Sequence, residues 1–156
     1  MYNIRARCFS AVGALVLATA IPIAALADTT TPNLRIANNE SGSISLSSQS
    51  PGNCGTWIGS AVIEPPPVVG ASSTSAAFKL SVSGSCATVN SASMTYVFSN
   101  GEVLTYCTYG IVGNSTFTYS ATGAPGCSYA IDTLNHNVDF IFPNTDLRVR
   151  MHQARK

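Results

Sequence analysis

Asn100-Gly101 lies between two runs that alternate apolar with polar residues. Asn-Gly suits a two-residue hairpin because both central positions of that turn take positive φ. A turn centred there pairs Ser99 with Glu102 and Phe98 with Val103. Further back it pairs Tyr96 with Thr105 and Met94 with Cys107. Met94, Tyr96, Phe98, Val103, Thr105 and Cys107 then share one face, which is the more apolar and is assigned to the core. Thr95, Val97, Leu104, Tyr106 and Thr108 form the other face, mixed as in a sheet half open to water.

The same period of two runs through the chain after residue 28, where no helical stripe stands out. Asn33 to Asn38 reads as a strand with Leu34 and Ile36 on one face, and Asn38 to Gly42 as a turn cluster. Ile44 and Leu46 alternate with serine. Trp57 to Ile63 forms a third run that Pro65-Pro66-Pro67 ends, since proline cannot donate to a ladder. Ala76, Phe78, Leu80 and Val82 alternate next, and later Phe117, Tyr119 and Ala121. Cys127, Tyr129 and Ile131 share a face, as do Val138, Phe140 and Phe142. Leu147, Val149 and Met151 alternate with Arg148 and Arg150. The expectation is an all-β, single-domain antiparallel β-sandwich of about ten strands.

The first 27 residues read as a secretory signal. Arg5 and Arg7 precede an apolar run from Cys8 to about Ile23, and Ala25-Leu26-Ala27 is a small-x-small cleavage site before Asp28. Residues 28–147 form the expected sandwich domain, and 148–156 a basic strand end and tail. Cleavage after Ala27 implies a secreted or periplasmic protein. Between Asp28 and Leu147 only Arg35 and Lys79 face seven carboxylates, while Arg148, Arg150, Arg155 and Lys156 crowd the end. An acidic body of this kind is not a nucleic-acid partner.

Four cysteines remain after residue 27: Cys54, Cys86, Cys107 and Cys127. In an oxidising compartment they should form two disulfides. Three pairings are open, and Cys54–Cys86 with Cys107–Cys127 is favoured, because the second closes one connection and one strand. No C-x-x-C occurs, so a zinc site is not expected.

Catalytic chemistry is thin. His136, in Asn135-His136-Asn137 with Asp132 and Asp139 nearby, is the one residue on which a hydrolase could be built, yet no G-x-S-x-G accompanies it. Glu40, Glu64, Glu102, Asp132, Asp139 and Asp146 are scattered, mostly in turns. No metal-ligand cluster, phosphate loop or cofactor motif is present. The expected class is therefore a non-catalytic binding protein without cofactor or metal. Trp57, Tyr106 and Tyr109 are the candidate binding residues. Trp57 is either a core anchor beside Cys54 or a stacking platform. Tyr106 and Tyr109 point to opposite faces of a strand, and Tyr106 is expected to be the exposed one.

The order of Ile36-Ala37-Asn38-Asn39, Ile44-Ser45-Leu46, Pro65-Pro66-Pro67, a serine-rich stretch, Phe78 and Met94 to Phe98 resembles small secreted or lytic β-sandwich proteins of the aegerolysin and actinoporin-like group. The resemblance implies recognition of membrane lipid, in some members beside a pore-forming partner. It spans less than half the chain, and four cysteines and a signal depart from the aegerolysin pattern. No site residue carries over. Membrane lipid or glycan is the expected ligand. The alternative is a small exported inhibitor or immunity-type protein that plugs a partner enzyme with Pro65 to Ser75 or Ile111 to Asn114.

Overall fold

A computed structural model describes residues 28–59, 64–101 and 104–145. Among these there is no helix, and twelve strands form three sheets. In chain order they are β1 (Thr29–Thr30), β2 (Asn33–Asn38), β3 (Ile44–Ser50), β4 (Gly55–Ile58), β5 (Val68–Val69) and β6 (Ser73–Thr74). Then come β7 (Lys79–Val82), β8 (Asn90–Ser99), β9 (Leu104–Gly113), β10 (Phe117–Gly123), β11 (Ser128–Asp132) and β12 (Asn137–Phe142).

One layer is the five-stranded sheet β10-β9-β8-β3-β5. The other is assembled from β11-β12-β2-β6 and β1-β7-β4, two sheets stitched together where Leu34 and Phe78 exchange backbone hydrogen bonds at 2.8 and 3.0 Å. Strands β2 and β12 run parallel in register from Asn33/Asn137 to Asn38/Phe142, an exception in an otherwise antiparallel fold. Alternation explains the core. Leu34, Ile36, Leu80, Val82, Val138, Phe140 and Phe142 point inward from one layer, and Ala92, Met94, Tyr96, Cys107, Tyr109 and Ile111 from the other. The rings of Tyr109 and Phe140 meet across the gap at 4.9 Å.

The hairpin of β8 and β9 corrects the expected register. Ser99 pairs with Leu104, Tyr96 with Cys107 and Met94 with Tyr109. Residues 100–103 therefore make a four-residue connection, in which Gly101 has φ +90°. The slip is two positions. An even slip leaves every side chain on its own face, so the assigned core face is buried where it is described. Val103 and Glu102 lie outside the described residues, as do the signal segment and the tail.

Both favoured disulfides are present. Cys54–Cys86 and Cys107–Cys127 have Cα–Cα separations of 5.8 and 5.7 Å. The first ties the approach to β4 to the loop after β7. The second ties β9 to the corner where the chain crosses from one layer to the other. Among the described residues, no helix is long and apolar enough to cross a membrane.

Two polar side chains close the ends of the layers. Asn38, buried at the end of β2, donates from Nδ2 to the carbonyls of Gly42, Val69 and Gly70 at 2.9, 3.2 and 2.8 Å. Its Oδ1 accepts the Glu40 N–H at 2.9 Å. One amide thus ties the turn after β2 to β5 of the opposite layer. Glu40, also buried, accepts the N–H and hydroxyl of Thr145 on Oε1, holding the chain after β12.

Candidate binding surfaces

The three aromatic candidates fall in different places. Tyr109 is fully buried on the core face of β9, so the binding role expected of it is corrected: no ligand reaches it. Trp57 is 6% exposed, its ring edge-on to Phe78 at 5.9 Å, so it is a core anchor rather than an open stacking platform. Tyr106, one residue before Cys107, is 52% exposed on the outer face.

Local structure holds Tyr106 in place. Its carbonyl accepts the Ala124 N–H at 2.9 Å, and the next residue is clamped to Cys127. Gly123 opposite has φ +119°, and a Cβ there would run into the Tyr106 carbonyl, so only glycine lets the corner lie this close. Across the sheet Tyr106 pairs with Val97, Val97 with Ser45, and Ser45 with Val68. Leu104 projects on the same side two residues away and is largely exposed.

Beyond this strip the outer face is a lattice of hydroxyls. Ser48, Thr95, Thr108 and Thr122 form one row across four strands. The hydroxyls of Thr95 and Thr108 meet at 3.0 Å. Ser50, Ser93, Gly110 and Ser120 form the next row, and Ser120 reaches into the space Gly110 leaves. Rows of this kind repeat at about 4.8 Å between strands and about 7 Å along them. No residue of the five strands carries a charge. Sequence reading marked Tyr106 but missed the lattice. The signal was in plain view as Ser91-x-Ser93-x-Thr95 and Thr118-x-Ser120-x-Thr122, hydroxyls on the alternate positions of strands whose other face is apolar.

A cleft of about 380 Å³ opens elsewhere, lined by Gln49, Pro51, Gly55, Thr56, Trp57 and Glu64, where β3 and β4 of the two layers come together. Gln49 Nε2 donates to Glu64 Oε2 at 2.8 Å.

His136 sits exposed in the turn between β11 and β12 with φ +52°. The nearby carboxylates are engaged with other groups. Asp132 accepts the N–H groups of Leu134 and Asn135 and the Asn135 side-chain amide, which hold it below the usual carboxylate range. Asp139 takes both arms of the Arg35 guanidinium at 2.7 and 2.8 Å, and this pairing raises the arginine's affinity for its proton. No group of three or more His, Cys, Asp or Glu side chains with metal-binding spacing occurs among the described residues. No protein-family model, curated protein or solved structure matches the chain.

Proposed function

We propose that the protein is an exported, non-catalytic binding protein whose outer sheet face recognises a neutral glycan. The observation that carries this reading is the face itself: five strands without a charge, rows of Ser and Thr hydroxyls, and the exposed ring of Tyr106 beside them. Hydroxyls both donate and accept, as sugar hydroxyls do, so the two surfaces exchange partners without leaving a buried group unmatched. An aromatic ring supplies apolar area for the C–H face of a pyranose at low entropic cost. An anionic membrane is the weaker fit for this face, since such surfaces attract clustered Lys and Arg and none of the five strands carries either residue. Of the two basic residues in the described segments, Arg35 is already paired with Asp139. The two disulfides suit the oxidising compartment that the Ala25-Leu26-Ala27 site implies.

The test is retention of the protein beginning at Asp28 on immobilised neutral polysaccharides and on a glycan array. Binding is expected, with at least a tenfold loss on Tyr106→Ala, equivalent to about 1.4 kcal/mol. Binding to liposomes and to no glycan would overturn the reading in favour of lipid. Capture of one partner enzyme, with neither glycan nor liposome bound, would overturn it in favour of the inhibitor alternative.

A further inference from the structure

The core of the sandwich is open along one side. Strand β11 ends its sheet: among the described residues it pairs with β12 and with no strand beyond. Tyr129 and Ile131 lie opposite Phe140 and Val138, so they stand on the inward face. Phe140 and Val138 are fully buried, yet Tyr129 is 41% and Ile131 55% exposed. Tyr119 of β10 meets the Tyr129 ring at 6.1 Å and still leaves it open to solvent. The edge carries none of the usual guards against pairing. Ser128-Tyr129-Ala130-Ile131-Asp132 has no lysine, proline or glycine, and it is longer than the two-residue edges β1, β5 and β6.

We propose that this edge pairs with the same edge of a second copy, joining two four-stranded sheets into one across a two-fold axis. The occupant follows from the strand's own sequence. Antiparallel pairing of β11 with itself, centred on Ala130, sets Tyr129 against Ile131 of the copy and Ser128 against Asp132. An exposed aromatic ring thus meets an exposed β-branched side chain, a favourable cross-strand pair. On the outward face a hydroxyl donor meets a carboxylate. The two Asp132 side chains lie at opposite ends of the ladder, so no like charges face each other. The other long edge, β10, has less to gain, because its inward Phe117, Tyr119 and Ala121 are already partly buried against the core. The axis stands perpendicular to the joined sheet, so both copies present the outer face of β8 and β9 on the same side. Only the consequence for binding draws on the glycan reading: two Tyr106 surfaces turned one way engage a polysaccharide together.

Protein recovered after expression of the full chain is sedimented from about 1 μM to about 1 mM, the range of weak association. Its mass should rise from monomer to dimer. Ile131→Glu should weaken the association at least tenfold, because it sets a carboxylate in the apolar contact. Leu134→Ser should leave it unchanged, since Leu134 is exposed in the turn beyond the ladder. Cross-linking reads the register without altering that contact. Ala130→Cys faces its own copy at about 4.5–5.5 Å between Cα atoms, a distance that a disulfide spans, so air oxidation should link the dimer. Ser128→Cys, which faces Asp132, should stay unlinked. A monomer throughout overturns the proposal. So does a dimer that survives Ile131→Glu, or one that links through Ser128→Cys, or through Ser120→Cys on β10, and not through Ala130→Cys. Glycan retention enters none of these readings, so the dimer and the outer-face reading stand or fall separately.

Discussion

Tyr96 and Tyr109 stand on adjacent strands, both fully buried, and only one of their hydroxyls has a partner. Tyr96 donates to the Pro66 carbonyl at 2.7 Å, anchoring the segment before β5 to the core. The Tyr109 hydroxyl has no partner. The same substitution should therefore act in opposite directions. Tyr96→Phe should cost about 1–2 kcal/mol by orphaning the Pro66 carbonyl. Tyr109→Phe should be neutral or slightly stabilising, since it removes an unmatched polar atom from an apolar site. Urea melts of the two variants check this, and equal losses would show that Tyr109 has a partner in solution.

Alkali should unfold the protein through the same pair. Burial pushes the proton affinity of both hydroxyls well up, and the proximity of Tyr109 raises Tyr96 further. The neutral phenol is thus favoured in the fold. The stability this contributes is complete below the ordinary tyrosine value of about pH 10 and is lost as pH rises above it. Tyrosinate absorbance should show a step that coincides with loss of β-sheet circular dichroism. Titration of all the tyrosines before any loss of structure would contradict it.

Asn38→Ala should be among the most damaging single changes. It removes one donor group serving three carbonyls and one acceptor serving Glu40 N–H. Loss of roughly 3 kcal/mol or more is expected. Asn38→Asp keeps the acceptor and removes the donor, so it should be no better. A variant within about 1 kcal/mol of wild type in thermal melts would show the hub to be replaceable by water.

A thiol titration of the denatured, unreduced protein beginning at Asp28 should read zero. Cys107→Ala with Cys127→Ala should lower stability by about 2–4 kcal/mol. It should also loosen the strand that presents Tyr106, so glycan retention falls more than the stability loss alone explains.

His136→Ala should change stability by no more than about 0.5 kcal/mol, since the side chain is exposed and its loop is held by Asp132. Glycan retention should not change. Loss of retention would place the β11–β12 turn in the binding surface.

Much of the fold is legible because alternation is a local property. Leu34, Ile36, Phe140 and Phe142 announce their inward face whatever lies opposite. Register is less local. Asn100-Gly101 suggests a two-residue turn, but the connection takes four, a difference that alternation cannot sense because it preserves parity. The parallel pairing of β2 with β12 carries no mark in either strand. The candidate sites divide along the same line. Tyr106 could be found by asking which face it occupies. The cleft could not, because Gln49, Trp57 and Glu64 are brought together by the meeting of two layers.

The parallel pairing of β2 and β12 also sets an order of events. Each contact in that ladder joins residues 104 positions apart, so the second layer cannot close until β12 is available. Long-range pairings of this kind fold slowly, because the closure entropy is lost before the contacts form. A nascent chain without β12 would leave that edge of β2 unpaired. The topology thus delays completion of the native state until β12 has emerged.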